Sequence, residues 1–382
     1  MHRREFLKIL GLTPFLSLLA SSNSFANAMP RIVVLVELKG GNDSLNTLIP
    51  YQDPAYYQLR PQLAIPKQHV LNLGEGMGMH PAMQALLPVW NNKEMAWIQG
   101  IGVPRQEQAR SHFTSIHHWE TGSLDPNLDQ GWLGQVFPHA SPSLQGVAIG
   151  NELGPLLADH FNAINLHSPE EFVQYVDKLR TNKLRTSVDQ SNPMLAHIFE
   201  MQQKLFQASE QIDRQLQPNQ TIKQQFPAGE FGDGLSSIAR MIISDFQIPI
   251  YKLSLGNFDT HVSQSALHQR LLHELSTGLA AFRKVLYQQH KWENVVVLTY
   301  SEFGRRASEN QSMGTDHGSA AAHFAIGGSV KGGFYGQHPN LIALHAGDIQ
   351  YHVDFRSVYA TLATRWWQQS SPWDMPDIPF IA

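Results

Sequence analysis

The stretch Arg31–Asn46, RIVVLVELKGGNDSLN, governs the reading of the whole chain. Its first half, Arg31–Leu38, is β-branched and almost continuously apolar. A strand with one wet face alternates apolar and polar residues; an unbroken apolar run is what a parallel strand covered on both faces requires. The second half turns polar at once, through Lys39-Gly40-Gly41-Asn42-Asp43-Ser44-Leu45-Asn46. Glycines let the backbone turn sharply and let neighbours approach closely. In an open parallel sheet, ligands bind beyond the carboxyl ends of the strands. A polar cluster immediately after such a strand is therefore a candidate site.

The same pattern recurs. Pro249–Leu255 (PIYKLSL) runs into Gly256-Asn257-Phe258-Asp259-Thr260-His261, and Asn294–Tyr300 (NVVVLTY) runs into Ser301-Glu302-Phe303-Gly304-Arg305-Arg306. Met95–Gln99, Gly146–Ile149 and His323–Val330 are further strand candidates. Leu267, Leu271, Leu272, Leu275, Leu279, Phe282 and Leu286 give Gln264–Gln289 a helical period. Val353–Trp367 reads as a closing helix. Strands alternating with helices predict an α/β fold with helices on both faces of the sheet. The segment 166–226 departs from the pattern. It is helical and polar, and Met201–Phe226 holds nine Gln. It reads as a helical insertion or lid within a single domain over 29–382, either a plain surface hairpin or a partner-binding arm.

Composition bounds the chemistry. Of 382 residues, 42% are hydrophobic and 16% charged, which suits a large core and excludes a disordered chain. There is no cysteine, which excludes disulfides, thiolate metal sites and a Cys nucleophile. Lysine and arginine number 28 against 32 acidic residues, so no basic excess points to nucleic acid as a partner.

Residues 1–28 read as an address. Arg3, Arg4, Glu5, Phe6, Leu7 and Lys8 spell a twin-arginine signal; Ile9–Ala20 is an apolar run too short to span a bilayer; Ala26-Asn27-Ala28 is an A-x-A cleavage site. An N-terminal helix of the mature fold is the alternative. Removal of three basic residues and one acidic residue takes the formal charge from −4 to −6. The expectation is a periplasmic protein carried by the twin-arginine export machinery, with no stable membrane span after cleavage.

Asp43, Asp259, His261 and Glu302 follow three different strands, so one sheet edge should gather them. Asp316 and His317 join from the loop Gly314-Thr315-Asp316-His317-Gly318. Carboxylates and imidazoles crowded together repel unless something positive sits among them, and a divalent metal ion answers that need. An Asp/His set suits Zn, Mn or Fe; a mostly carboxylate shell suits Ca or Mg. Each residue also has a plainer reading. Asp43 can cap a turn, Asp259 and Thr260 can cap the following helix, Glu302 can pair with Arg305 or Arg306, and Asp316-His317 can form a turn. A fifth segment, Arg110–Gly122, offers a nucleophile. Ser111 would stand at a helix N-terminus, where amides stabilise an oxyanion, or act only as its N-cap. His112 beside it is a further candidate. No G-x-S-x-G elbow, phosphate-binding loop of the G-x-x-x-x-G-K-[ST] type or H-E-x-x-H pair is present.

The strings KGGNDSLNTLIPY (39–51), RSHFTSIHHWETG (110–122), GWLG (131–134), GNFDTH (256–261), SEFGRR (301–306), GTDHG (314–318) and GGSVKGGFYG (327–336) together resemble the bacterial domain of unknown function 1501. That family is similar to the alkaline phosphatase and sulfatase superfamily. The resemblance implies a three-layer α/β/α sandwich with a mostly parallel sheet and a one- or two-metal hydrolytic site. It places Asp43 as the first-strand metal ligand, Ser111 as the helix-capping nucleophile, Asp259 and His261 as a metal pair spaced more tightly than usual, and His317 as the late metal ligand. Glu302 stands where an Asp-His or Asp-Asn pair is usual. The first functional expectation is thus a metal-dependent hydrolase of phosphate or sulfate esters, with Arg305 holding the anion of a small ester or polysaccharide. The second is a non-catalytic periplasmic binding or scaffold protein that keeps the fold.

Overall fold

Seven residues of the opening stretch, Ile32–Leu38, form strand β1, and every one is buried. The computed structural model describes residues 30–104, 108, 110–139, 141, 143–150, 152–181, 193–216 and 220–382. The signal reading of residues 1–28 lies outside them. The remaining strands are β2 (Leu48–Ile49), β3 (Leu71–Gly74), β4 (Met77–Met79), β5 (Met95–Gly102), β6 (Gly146–Ile149), β7 (Ala163–Leu166), β8 (Ile250–Leu255), β9 (Val295–Tyr300), β10 (Ala321–Gly327), β11 (Gly333–Gly336) and β12 (Val353–Asp354). The principal helices are α1 (His112–Thr121), α2 (Pro169–Thr181), α3 (Pro193–Gln215), α4 (Glu230–Ile243), α5 (Gln264–Gln288) and α6 (Phe355–Thr361).

The main sheet runs β11-β5-β10-β9-β1-β8-β6-β7, with β12 added beside β5. β1 lies at its centre, parallel to β8 and to β9. The sheet is parallel except at β10, which is antiparallel to both β9 and β5. β2, β4 and β3 make a small separate antiparallel sheet.

The pleat of β1 explains its composition. Ile32, Val34, Val36 and Leu38 face a core shared with Leu271, Leu275, Leu279 and Phe282 of α5 and with the apolar face of α4. Val33 and Leu35 face the opposite core, with Trp119 of α1, Trp132, and Phe355 and Val358 of α6. Strand residues that must pack on both sides have no polar side to show. The result is a three-layer α/β/α sandwich. Burial of each such side chain stabilises the fold by roughly 1.5–3 kcal/mol.

Several elements differ in detail from the sequence reading. The strand expected over His323–Val330 begins two residues earlier and ends at Gly327. The closing helix starts at Phe355, after the short β12, and continues as a π-helical turn over Leu362–Trp366. The 166–226 segment holds α2, α3 and a short helix at Gln220–Lys223. It is amphipathic and packs inward: Phe172, Val176, Ala208, Ile212, Ile222 and Phe226 are all buried in the α5-side core. Among the described residues, no helix is long and apolar enough to cross a membrane.

Candidate metal centre

Four chain segments meet at the carboxyl edge of β1, β8 and β9. The turn after β1 requires its two glycines. Gly40 and Gly41 have φ of +113° and +78°; a Cβ on Gly40 would collide with the backbone of Asp259, and one on Gly41 with the ring of Phe303. The turn's amides then point at the next loop. Gly40 N–H donates to Glu302 Oε1 at 2.7 Å and Gly41 N–H to Oε2 at 2.9 Å. The Ser301 hydroxyl lies 3.0 Å from Oε2. Glu302 is thereby fixed, 7% exposed at its side chain.

Asp259 Oδ1 is the meeting point. It lies 3.0 Å from His261 Nε2 and 3.2 Å from His317 Nε2, and those two nitrogens are 2.9 Å apart. His112, in the first turn of α1, brings its Nε2 to 3.6 Å from Asp259 Oδ2 and its Nδ1 to 3.5 Å from Glu302 Oε1. Phe303 packs against the His317 and His112 rings at centroid distances of 4.4 and 4.9 Å. The far side of each inner imidazole is engaged. His317 Nδ1 is 2.9 Å from the Arg110 carbonyl, which makes Nδ1 the protonated nitrogen and leaves the Nε2 lone pair facing inward. His261 Nδ1 faces Asp316 Oδ1 at 3.6 Å, and Asn310 Nδ2 holds that same oxygen at 3.0 Å.

The electrostatics follow from these contacts. Partial burial raises the Asp259 carboxyl, but the Arg305 and His317 hydrogen bonds and the nearby positive charge outweigh it, so it sits below the ordinary carboxylate value. Burial lowers His317, favouring the neutral ring a metal ligand needs. The Asn310 hydrogen bond leads the lowering of Asp316. Two imidazole nitrogens and a carboxylate oxygen lie within 3.2 Å of one another, and the Arg305 guanidinium borders them, its Nη2 2.6 Å from Asp259 Oδ1 and its Nη1 3.5 Å from His261 Nε2. Nitrogen and oxygen donors of this kind, with their outer nitrogens oriented, fit a divalent metal ion. His112, Asp259 and His317 also each offer a ligand atom within 4.8 Å of the others.

Of the residues singled out from sequence, the structure brings together His112, Asp259, His261 and His317, with Glu302 and Asp316 at the margin. Glu302 borders His112, but amides hold both its oxygens. Asp316 contacts the back of His261 and acts as an outer partner. Ser111 precedes His112 at the start of α1; its carbonyl accepts from Ser115 N–H at 2.9 Å, and its side chain caps none of the helix amides.

Two expectations need correction. Asp43 does not join the group. Its Oδ2 is 2.6 Å from Arg60 Nη1 and accepts from the Gln264 amide, with both ion-pair side chains at most 1% exposed. The turn after β1 carries it past the sheet edge into the layer beneath. Arg305 cannot present its guanidinium to an anion. It is buried, and its Nε donates to Gly41 O, its Nη1 to Thr315 O, and its Nη2 to Gly40 O, Phe258 O and Asp259 Oδ1. It ties the turn after β1, the loop after β8 and the connection from β9 to β10 together and holds Asp259 in place. Sequence reasoning missed Arg60, Gln264, Asn310 and the Arg110 carbonyl. None sits in a strand-end motif, and a carbonyl carries no sequence signal.

No curated protein matches the chain. Among solved structures, the sulfatase PsFucS1 from Pseudoalteromonas sp. is similar, at 11% identity and TM-score 0.40, over 93% of this chain and 72% of that one. The alkaline phosphatase from the Antarctic bacterium TAB5 is similar at 10% identity and TM-score 0.34, over 81% and 95%. The lipoteichoic acid synthase LtaP from Listeria monocytogenes is similar at 9% identity and TM-score 0.33, over 85% and 75%. The model of the family described as protein of unknown function (DUF1501) matches residues 96–365, well over half of the sequence, and the chain belongs to that family.

Proposed function

We propose that this chain is an exported, metal-dependent hydrolase of phosphate or sulfate esters. One observation carries the reading: two oriented imidazole Nε2 atoms, 2.9 Å apart, converge on the Asp259 carboxylate at the edge where three strands end. His261, His317 and Asp259 would hold the ion, with His112 completing the set. The imidazole share favours Zn, Mn or Fe over Ca or Mg. A divalent ion bound there supplies Lewis-acid stabilisation of an ester oxyanion. The chain's own residues do the rest. Ser111 presents its hydroxyl at the amino end of α1, where the helix dipole favours negative charge. His112, the next residue, stands beside it as the fourth donor of the set, which puts the Ser111 side of the helix start next to the ion. Arg305 fixes Asp259 and leaves the anion to the centre. The substrate is a small anionic ester or an esterified polysaccharide, met in the periplasm after twin-arginine export.

The test is elemental analysis of mature protein purified from the periplasm, alongside turnover of p-nitrophenyl phosphate and p-nitrophenyl sulfate. The expected result is a bound divalent metal and measurable turnover of one ester, both lost in Asp259→Ala. Metal-free native protein, or equal turnover in the variant, defeats the proposal. The engagement of Glu302 and Arg305 inside the protein favours a second reading, a non-catalytic periplasmic binding or scaffold protein. Metal retained with neither ester hydrolysed would select it.

A further inference from the structure

A cleft of about 1030 Å³ opens beside the candidate centre. Its floor is the carboxyl edge of the sheet, at Lys39 after β1, Gly150 after β6 and Gly256 after β8. Its wall is the first turn of α2 and one face of α4. The volume is at the upper end of the ~300–1,000 Å³ typical of small-molecule sites. Gly256 lies on the loop that carries Asp259, so the cleft abuts the centre without sharing its ligands.

Two buried polar groups on α4 face this space with hydrogen-bonding capacity to spare. Ser236 is 1% exposed and its Oγ has no partner among the described residues. Arg240 is 8% exposed; its Nη2 bonds Glu170, but its Nε has no partner among the described residues. Four residues apart on one helix, they lie on one face. Buried polar groups are satisfied in native proteins, by the chain or by something bound to it. An acceptor oxygen answers the Nε–H, and a ligand hydroxyl answers Ser236.

The charge of the lining narrows the ligand class. Five carboxylates line the cleft against three cationic side chains. Each cation is already paired: Lys39 with Glu152, Lys223 with Asp233 and Arg240 with Glu170. Among the described residues no positive charge is left for an anion, while carboxylate acceptors for hydroxyl donors are plentiful. We propose that the cleft binds a neutral, polyhydroxylated ligand, an oligosaccharide segment, with Ser236 and Arg240 as its buried anchors. This goes beyond the hydrolase reading, because it requires binding alone and holds whether or not the centre turns over an ester.

Calorimetric titration of the mature full chain with cellohexaose, maltohexaose and laminarihexaose tests it, with hexalysine as the competing cationic ligand. At least one hexasaccharide is expected to bind with a Kd below about 1 mM. Ser236→Val and Arg240→Lys are each expected to weaken that binding at least tenfold with an unchanged melting temperature. Should Arg240→Lys lower the melting temperature, Ser236→Val alone decides the comparison. The same titration on Asp259→Ala separates the two proposals: sugar binding persists there even if metal and turnover are gone. No heat with any of the three sugars, unchanged affinity in Ser236→Val, or preferred binding of hexalysine overturns the proposal.

Discussion

Asp43 and Asp259 both follow a buried strand and a turn with glycine, and the structure gives them opposite work. Asp43 meets the guanidinium of Arg60, which also donates to Asn46 Oδ1, Ala307 O and Arg306 O. Burial works against ionisation of Asp43, but the Arg60 charge and hydrogen bond overcome it and hold the carboxyl low. Asp43→Ala would leave Arg60 charged and unmatched in the core, which typically costs about 3–5 kcal/mol. Chemical denaturation should show that loss, and elemental analysis of the folded variant should show metal content unchanged. His317→Ala is expected to do the reverse, with metal lost and stability changed by less than about 1 kcal/mol, because its ring is partly exposed. Arg305→Lys has its own signature. Lysine has three donors where the guanidinium serves five oxygen acceptors in a fixed fork, so both melting temperature and metal affinity should fall. His112, Asp259, His261 and His317 were legible because each sits in a short motif beside a strand end or a helix start. Asp43 was misread because its partner lies in an unremarkable stretch, and Arg305 because its acceptors are carbonyls.

At the scale of elements, residues near the ends of β1 and β8 build a buried network with α1. Lys252 Nζ lies 3.0 Å from Glu37 Oε2 and 3.8 Å from Glu120 Oε1, and the Ser254 hydroxyl donates to Glu37 at 2.9 Å. Glu37, Glu120 and Glu152 gather closely enough to hold a cation, and Lys252 supplies the positive charge among them. Burial, reinforced by Glu37 and Glu152 and opposed by Lys252, pushes Glu120 up to about 7. The folded state therefore favours the protonated acid relative to an unfolded value near 4.5. Its contribution to stability is full below about pH 4.5 and is lost as pH rises through about 7. Melting curves across that window should show the wild type losing stability relative to Glu120→Gln, with the two converging at the acid end. Parallel curves would show that Glu120 does not titrate there. Long strands and the α5 helix were readable from β-branched runs and a 3.6-residue period. β2, β3, β4, β7, β11 and β12 have two to four residues each, too few for a period to emerge. The antiparallel setting of β10 has no local cause, since it depends on which strands flank it.

The whole molecule is organised around contacts between remote parts of the chain. β1 pairs with β8 and β9 through partners more than 200 residues apart in sequence, such as Val33 with Ile250 and Ile32 with Val295. β5 draws β10, β11 and β12 to itself from the last third of the chain. Such a sheet cannot close until nearly all of it has been synthesised, and high contact order makes folding slow. The side chains of the candidate centre assemble only when that closure is complete, because they arrive from α1, from the loop after β8 and from the loop before β10. A route that exports folded protein suits this order of events, and the Arg3-Arg4 pair is the feature that would direct it. Replacing both, Arg3→Lys with Arg4→Lys, should leave the protein in the cytoplasm, folded and protease-resistant, while the native sequence reaches the periplasm cleaved after Ala28. Fractionation with limited proteolysis reads both properties at once. Unchanged export of the double variant would remove the twin-arginine route from this account, and a protease-sensitive cytoplasmic pool would show that folding depends on the periplasm.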